Sequence, residues 1–168
     1  MIKATKGSEI MKKIFVLILI PVLLLCSCGG KIRVTDMTPK EIIAAVYENV
    51  DGDDYMKELI PELITYEITK DNEQYYLGVS GIPYESGAAS EAVVQPITYS
   101  FCVIRLKEGS DYDAERIKIE ANINKSKWVC AKAEEAYVVR CENLIAVIMG
   151  PKSVCDLLEN EFLTVVKK

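Results

Sequence analysis

Histidine is absent from this 168-residue chain, and its absence limits the chemistry that the protein can perform. Histidine is the side chain that most often acts as a general base near neutral pH, and it is the commonest metal ligand. Catalytic pairs of serine or cysteine with histidine are therefore excluded. The six cysteines also lack the C-x-x-C spacing of zinc sites and thiol redox motifs. We expect neither a metal site nor a cofactor.

Apolar runs long enough to span a membrane are also missing near the start of the chain. Residues 14–25 are twelve residues without a charge, whereas a membrane-spanning helix needs about 20. This run follows Lys12 and Lys13 and contains Pro21, which disfavours a permanent helical span. A basic start and an apolar core of roughly 7–15 residues are typical of an export signal. Residues 11–27 are therefore predicted to be a signal peptide.

The end of this signal indicates a lipid anchor. Cys28 has Leu25 at position −3 and the small residue Ser27 at position −1, which resembles the cleavage site of bacterial lipoproteins. Cys26 does not fit, because bulky Leu25 would occupy the small position. We predict cleavage between Ser27 and Cys28, with a diacylglyceryl group on the Cys28 sulfur. Two acyl chains suffice for stable anchoring, so the expected location is the extracytoplasmic side of the cell membrane.

The remaining boundaries follow from this signal. Export signals commonly begin with methionine and lysine, as Met11-Lys12-Lys13 does, so residues 1–10 are predicted to be a mis-assigned extension of the start. Residues 28–37 are the expected lipidated tether. Residues 38–168 have the length of one globular domain.

Basic residues are scarce beyond the signal. From residue 28 onward, 16 Lys and Arg face 24 Asp and Glu, a net charge of −8. Proteins bind nucleic acid largely by neutralising its phosphates, so no nucleic-acid partner is expected. The same charge is repelled by anionic lipid, which favours a domain held near the membrane by Cys28 alone.

Local patterns in the first half predict one helix, one strand and a loop. Thr38-Pro39-Lys40-Glu41 is a capping box with proline at the first helical position, and the helix is expected to end near Asn49. A short helical turn is expected over residues 55–60. Aromatic and β-branched residues predict a strand over Glu73–Val79. The Gly-, Pro- and Ser-rich segment Ser80–Ser90 is predicted to be a loop.

The second half predicts a strand over Tyr99–Leu106 and a helix from Ser110 or Asp111 to about Asn124. Tyr137–Cys141 and Leu144–Met149 flank two polar residues and predict a hairpin, and an amphipathic helix ends the chain. The resulting order is α-β-β-α-β-β-α. It predicts the α+β class, with an antiparallel sheet of about four strands and helices packed on it.

Three segments carry a resemblance to a known family: Met37–Ile42, Ser90–Val94 and Ala136–Phe162. They resemble small lipoproteins of Gram-positive anaerobes whose globular part is a domain of unknown function. The resemblance covers most of residues 37–162, although this chain has Glu142-Asn143-Leu144 where the family tends to place Gly-Asn-Tyr. It implies export, a lipid anchor and an α+β fold, and it implies no activity.

Tyrosine is abundant, with nine residues in the chain. Tyr75, Tyr76, Tyr84 and Tyr99 lie in or beside the predicted loop and are the candidate binding surface, since tyrosine is enriched where proteins bind partners. They could line a groove for a peptide or glycan. The simpler interpretation, which we favour, is that they cover the sheet with their hydroxyl groups in water.

The acidic run Asp51-Gly52-Asp53-Asp54 could supply oxygen ligands to calcium, but its spacing is not that of an EF-hand. Capping of the short helix explains it more simply. Exported proteins can form disulfides, and Cys130–Cys141 is the leading pair among the four cysteines beyond the anchor. Burial of these cysteines as small apolar groups is the preferred interpretation.

These features favour a non-enzymatic interaction or binding domain that contacts an unknown protein or envelope component near the membrane. A small-ligand-binding lipoprotein is the first alternative. An envelope enzyme that uses carboxylates without histidine is the second, and a cleft with paired, desolvated carboxyl groups would favour it.

Overall fold

The first long helix, α1, covers Pro39–Asn49 and begins as the capping box predicts. The Glu41 N–H donates to Thr38 Oγ1 at 3.3 Å, and the Thr38 N–H donates to the Glu41 carboxylate at 2.7 Å. The Thr38 N–H and the Thr38 hydroxyl both donate to the Glu41 carboxylate and hold the pKa of Glu41 below its usual value. Ile42, Ile43 and Val46 lie on the buried side of α1, so a local sequence signal and the core agree.

The computed structural model describes residues 34–50, 52–93 and 97–167, which belong to one compact unit, Arg33–Lys168. The predicted extension (residues 1–10), the predicted signal peptide (residues 11–27), and Ser27 and Cys28 lie outside the described residues. In the described ranges, no helix combines the length and the hydrophobicity that crossing a membrane requires.

Four further helices follow α1, and three of them, α2, α4 and α5, lie where helical segments were predicted. Asp53 caps the short helix α2 by accepting a hydrogen bond from the Met56 N–H at 2.9 Å. Asp111 caps α4 in the same way, through the Ala114 N–H at 3.1 Å. The helices are α2 (Asp54–Leu59), α3 (Glu73–Leu77), α4 (Tyr112–Asn122) and α5 (Lys152–Val166), with 3₁₀ turns at Val34–Asp36 and Ile60–Glu62.

Five strands form one sheet in which every neighbouring pair is antiparallel. The strands are β1 (Leu63–Glu67), β2 (Tyr84–Ala92), β3 (Ser100–Leu106), β4 (Glu135–Cys141) and β5 (Leu144–Gly150), in the spatial order β1-β2-β3-β5-β4. The predicted hairpin is present, and Glu142 turns it with a positive φ of 52°. The α+β class is confirmed, with five strands where about four were predicted.

The strand predicted over Glu73–Val79 is wrong: this segment contains helix α3. Tyr76 and Leu77 are buried against the sheet from this helix, and Gly78 ends it in the left-handed conformation. The Glu73 carboxylate accepts a hydrogen bond from the Gly81 N–H at 2.6 Å. These tertiary contacts outweigh the strand propensity of the two tyrosines.

The loop predicted over Ser80–Ser90 is wrong for most of this segment, because strand β2 begins at Tyr84. Small residues are typical of loops, but here they are required because this strand is covered on both faces. A Cβ atom on Gly87 would lie 2.9 Å from Ile104 Cγ2 and 3.0 Å from Ile68 Cβ. Helix α3 replaces a predicted strand, and α2, β1 and β2 are added to the predicted order, which becomes α-α-β-α-β-β-α-β-β-α.

Side chains alternate between the two faces of the sheet and build two cores. On the first face, α1 and α5 pack on side chains such as Phe101, Val103 and Ile148. On the second face, α3 and α4 pack on Cys102, Ile104 and Val147. The sheet therefore lies between two layers of helices.

Candidate functional site

A buried ion pair lies on the second face, between β2 and β3. Glu91 and Ser100 stand directly opposite each other in the β2–β3 register, so their side chains share one face. Lys127 reaches them from the segment that follows α4; its Nζ pairs with the Glu91 carboxylate and donates to Ser100 Oγ at 3.0 Å. The side chains of Lys127 and Glu91 are 3% and 10% exposed. Such burial is rare for charged side chains unless they are paired.

Aromatic rings surround the ammonium of Lys127. Its Nζ lies 4.4 Å from the ring centroid of Tyr75 and 5.1 Å from those of Tyr76 and Trp128. The Tyr75 hydroxyl donates to Glu91 Oε2 at 3.1 Å. Each ring favours the cation electrostatically, so the ammonium has a carboxylate, a hydroxyl and three aromatic neighbours. We call Tyr75, Glu91, Ser100 and Lys127 the Lys127 cluster.

Cys102 lies next to the Lys127 cluster, with its Sγ 3.4 Å from Ser100 Oγ. Burial raises the pKa of the Cys102 thiol to about 11, although nearby Lys127 opposes the shift. A thiol with this pKa stays protonated at neutral pH, and the thiolate is the reactive form. Cys102 is therefore an inert core residue.

The distance between Ser100 and Lys127 is that of a serine–lysine catalytic pair, but the surroundings oppose such a role. A lysine that activates a serine has to accept its proton, whereas the ammonium of Lys127 is neutralised by Glu91. Ser100 is also completely buried, so a substrate carbonyl cannot reach its hydroxyl. The cluster is better suited to fastening the segment around Lys127 to the sheet and holding Tyr75 in place.

The four candidate tyrosines do not form one surface. Tyr99 is completely buried in the first-face core, where its hydroxyl lies 2.9 Å from that of Tyr47. Tyr84 is buried on the second face, under the Lys70 ammonium, which lies 4.0 Å from the ring centroid. Tyr76 is buried beside Tyr75, and the two rings meet edge to face at 5.0 Å. Only Tyr75, 44% exposed, is available to a partner.

Exposed apolar side chains continue outward from Tyr75 across β1. Ile64 and Tyr66 project from the second face of β1, opposite Glu91 and Ala89 of β2, and Val93 follows Glu91 by two residues on the same face. They are 45%, 41% and 56% exposed. The Tyr75 hydroxyl bonds to Glu91, which stands directly opposite Ile64, so Tyr75 lies beside these side chains. Burial raises the pKa of Tyr75 to about 12, with a smaller contribution from Glu91. We call Ile64, Tyr66, Tyr75 and Val93 the aromatic patch.

Sequence reasoning missed Glu91, Ser100 and Lys127. Glu91 and Lys127 are 36 residues apart, and only the β2–β3 register and the path of the chain after α4 bring them together. The sequence offered one weak signal, since Glu91 stands alone among small and apolar residues.

Cysteines and carboxylates do not build a second site in the part of the chain that the structure describes. Cys102 and Cys155 are buried and Cys130 is exposed, all as free thiols, and the Cys130–Cys141 disulfide does not form. Among the described residues no three His, Cys, Asp or Glu side chains are placed to hold a metal ion. Asp53, from the acidic run, serves as the helix cap of α2.

Two grooves at the surface lie away from the Lys127 cluster. One, of about 390 Å³, runs along the first face of β1 beside the start of α1 and includes Pro39, Lys40, Thr65 and Glu67. The other, of about 420 Å³, lies at the β3 and β5 ends around Arg105 and Asn143. The first groove and the aromatic patch thus flank the same strand, β1, from its two faces.

Comparison of this chain with protein-family models, with curated proteins and with solved structures finds no match.

Proposed function

We propose that the protein is a lipid-anchored extracytoplasmic lipoprotein whose domain binds a protein or envelope component near the membrane surface and catalyses no reaction. The proposed location at the membrane is supported by Ser27 and Cys28 at the end of the predicted signal peptide. Two acyl chains on Cys28 would hold the domain at the membrane.

The aromatic patch is the observation that carries the binding role. Soluble domains seldom expose neighbouring large apolar side chains unless these contact a partner. Here Ile64, Tyr66 and Tyr75 are each more than two-fifths exposed. Buried Glu91 accepts a hydrogen bond from the Tyr75 hydroxyl, and buried Lys127 lies over the Tyr75 ring. These two contacts hold Tyr75 in a fixed position within the patch.

The chemistry of the described residues supports binding over catalysis. Lys127 is paired, Ser100 is buried and the pKa of Cys102 is about 11, so none of the three is an available nucleophile or base at neutral pH.

The lipid anchor is tested by fractionating cells that produce the full chain or its Cys28→Ser variant. We expect the full chain in the membrane fraction, as a product that begins at Cys28 and carries the additional mass of the lipid. We expect the variant in the soluble fraction. Equal membrane association of both proteins would contradict the lipid anchor.

The binding role is tested by placing a photo-crosslinking amino acid at position 75 in cells of the source organism. The matched control is position 55, because Tyr55 is 45% exposed but lies on α2, which packs in the first-face core. We expect one specific crosslinked product from position 75 and none from position 55. Identical products from both positions, or none from either, would contradict a partner at the aromatic patch.

Native mass spectrometry of the exported protein distinguishes the proposed binding of a macromolecular partner from the binding of a small ligand. A bare chain is expected. A retained mass that is lost on denaturation would instead favour a ligand-binding lipoprotein.

A further inference from the structure

We infer that the open edge of β1 pairs with the β1 edge of a second copy of the same chain, which would join two five-stranded sheets into one. The inference rests on the proposed function in one respect, since it names a partner for the surface that contains Ile64 and Tyr66. A strand edge offers a row of main-chain donors and acceptors to another strand.

The hydrogen-bond pattern shows which main-chain groups of β1 face outward. Ile68 donates its N–H to the Gly87 carbonyl at 2.9 Å, and Val93 donates to the Glu62 carbonyl. Bonded positions alternate in an antiparallel pair, so Ile64 and Tyr66 bond to β2. The main-chain groups of Leu63 and Thr65 point away from β2. The Leu63 N–H donates to the Ile60 carbonyl, whereas the N–H and C=O of Thr65 have no partner strand among the described residues.

The sequence of β1 is self-complementary about Thr65. An antiparallel pair with its two-fold axis at Thr65 places Thr65 opposite the partner's Thr65 and Ile64 opposite the partner's Tyr66. Pairs of aromatic and β-branched residues across strands are stabilising. Four apolar side chains, two from each copy, would then cover each other on the second face, beside the two Tyr75 rings.

The charges agree with this register. Glu67 comes opposite the partner's Leu63, and Glu62 comes opposite the partner's Ile68. An axis through Glu67 would instead place two carboxylates opposite each other, which is destabilising. The Glu67 carbonyl already accepts a hydrogen bond from Asn72 Nδ2 at 3.0 Å, which closes that end of the edge. The axis at Thr65 instead places the N–H and C=O of Thr65 opposite those of the partner's Thr65, where neither group is occupied by a strand among the described residues.

The opposite edge, β4, is less suited to pairing. On the second face, Arg140 forms an ion pair with Asp113 of α4. On the first face, the Tyr137 hydroxyl donates to Asp156 of α5 at 2.7 Å. Helices thus flank β4 on both faces, whereas β1 packs chiefly on β2. A five-residue edge is a small interface, so the dimer should be weak in solution and favoured when tethering raises the local concentration.

Disulfide trapping tests the dimer in the full lipidated chain, reconstituted in phosphatidylcholine vesicles. Cys130→Ser is included throughout, because Cys130 is an exposed thiol. Facing Cα atoms in a hydrogen-bonded pair lie about 5.5 Å apart, which is within the disulfide range. Thr65→Cys should therefore give about tenfold more linked dimer on mild oxidation than Ile117→Cys, an exposed control on α4.

The register has its own test. Ile64→Cys and Tyr66→Cys should crosslink poorly alone but efficiently when the two variants are mixed, because these positions face each other across the axis. Equal crosslinking of Thr65→Cys and Ile117→Cys, or no gain on mixing, would overturn the inference.

Thr65→Pro gives a test without oxidation. It removes an N–H that points outward, so the ladder to β2 is kept and the fold should survive, since proline is tolerated on edge strands. The dimer dissociation constant in vesicles should rise about tenfold or more, because each copy loses a hydrogen bond. An unchanged constant in a folded variant would contradict the inference.

The soluble Cys28→Ser variant, studied at high protein concentration, separates the two claims. Trapping of Thr65→Cys in that background, without membrane association of the parent chain, would refute the anchor and retain the dimer. Membrane association without trapping in either background would refute the dimer and retain the anchor.

Discussion

The two edges of the sheet differ in what covers them. β4 has a long helix on each face, and its side chains are tied to α4 through Arg140 and Asp113 and to α5 through Tyr137 and Asp156. β1 has short elements around it and exposes Ile64 and Tyr66. The half of the sheet near β4 is closed by hydrocarbon packing, whereas the half near β1 is held by a buried ion pair and left open at its edge. This contrast indicates where a partner can bind.

The largest expected effect comes from a substitution in the closed half of the sheet, near β4. Phe162 of α5 is completely buried in the first-face core. Phe162→Ala should lower the free energy of unfolding by about 4 kcal/mol through lost burial and a cavity. Urea denaturation measures this change. Ile117→Ala, at an exposed position of α4, is the control and should change stability by no more than about 0.5 kcal/mol; similar losses in both variants would contradict the assigned core.

The open half should depend on its ion pair. Glu91→Gln leaves the buried ammonium of Lys127 without its carboxylate, and we expect a loss of about 3 kcal/mol in the free energy of unfolding. Replacing both partners, as in Glu91→Leu with Lys127→Met, should recover about half of that loss, because no charge is then left buried alone. If the double variant is less stable than Glu91→Gln, the pair does not act as a unit.

Close packing within β2 gives a smaller effect. Gly87→Ala places a methyl group against Ile104 and Ile68, and this overpacking should cost about 2 kcal/mol in thermal or urea unfolding. Gly52→Ala is the matched control, because a Cβ there would meet nothing within 4 Å. A neutral Gly87→Ala would show that β2 lies farther from its neighbours than described.

The smallest effect concerns the base of the aromatic patch. Tyr75→Phe removes the hydroxyl that donates to Glu91, and at pH 8 it should cost about 1 kcal/mol. The folded-state pKa of Tyr75 is raised from 10.0 to about 12, chiefly by burial. A raised pKa contributes stability in full below pH 10 and loses it as the pH rises toward 12.

The pH dependence therefore distinguishes this variant. Between pH 10 and 12, the free energy of unfolding should fall less in Tyr75→Phe than in the parent chain. Tyr55→Phe, on α2, should follow the parent. Parallel curves for the parent and Tyr75→Phe would contradict the burial of the Tyr75 hydroxyl at the Lys127 cluster.

How much could be predicted from the sequence depended on how local the signals are. The capping box at Thr38, the cap at Asp111 and the two-residue hairpin turn at Glu142 act within a few residues, and those elements form where they were predicted. The small residues of β2 were read as a loop, although they fit a strand that is covered on both faces. Tyr75 and Tyr76 have strand propensity, but burial of Tyr76 and Leu77 against the sheet favours a helix.

The site was less accessible to sequence reasoning than the fold. Tyr75 was among the candidate residues, whereas Tyr84 and Tyr99 are core residues. Glu91, Ser100 and Lys127 meet only because of the register between β2 and β3 and the path of the chain after α4. Tertiary placement of this kind leaves no periodic signal in one sequence.

Amide hydrogen exchange along β1, measured residue by residue in the full chain carrying Cys28→Ser, tests most directly whether this edge is open to a partner. At low protein concentration, the N–H of Thr65 should exchange much faster than those of Ile64 and Tyr66, which bond to β2. Raising the concentration should slow exchange at Thr65 and leave its neighbours unchanged. Slow exchange at Thr65 in the dilute monomer would show that the edge is already covered and would contradict the account.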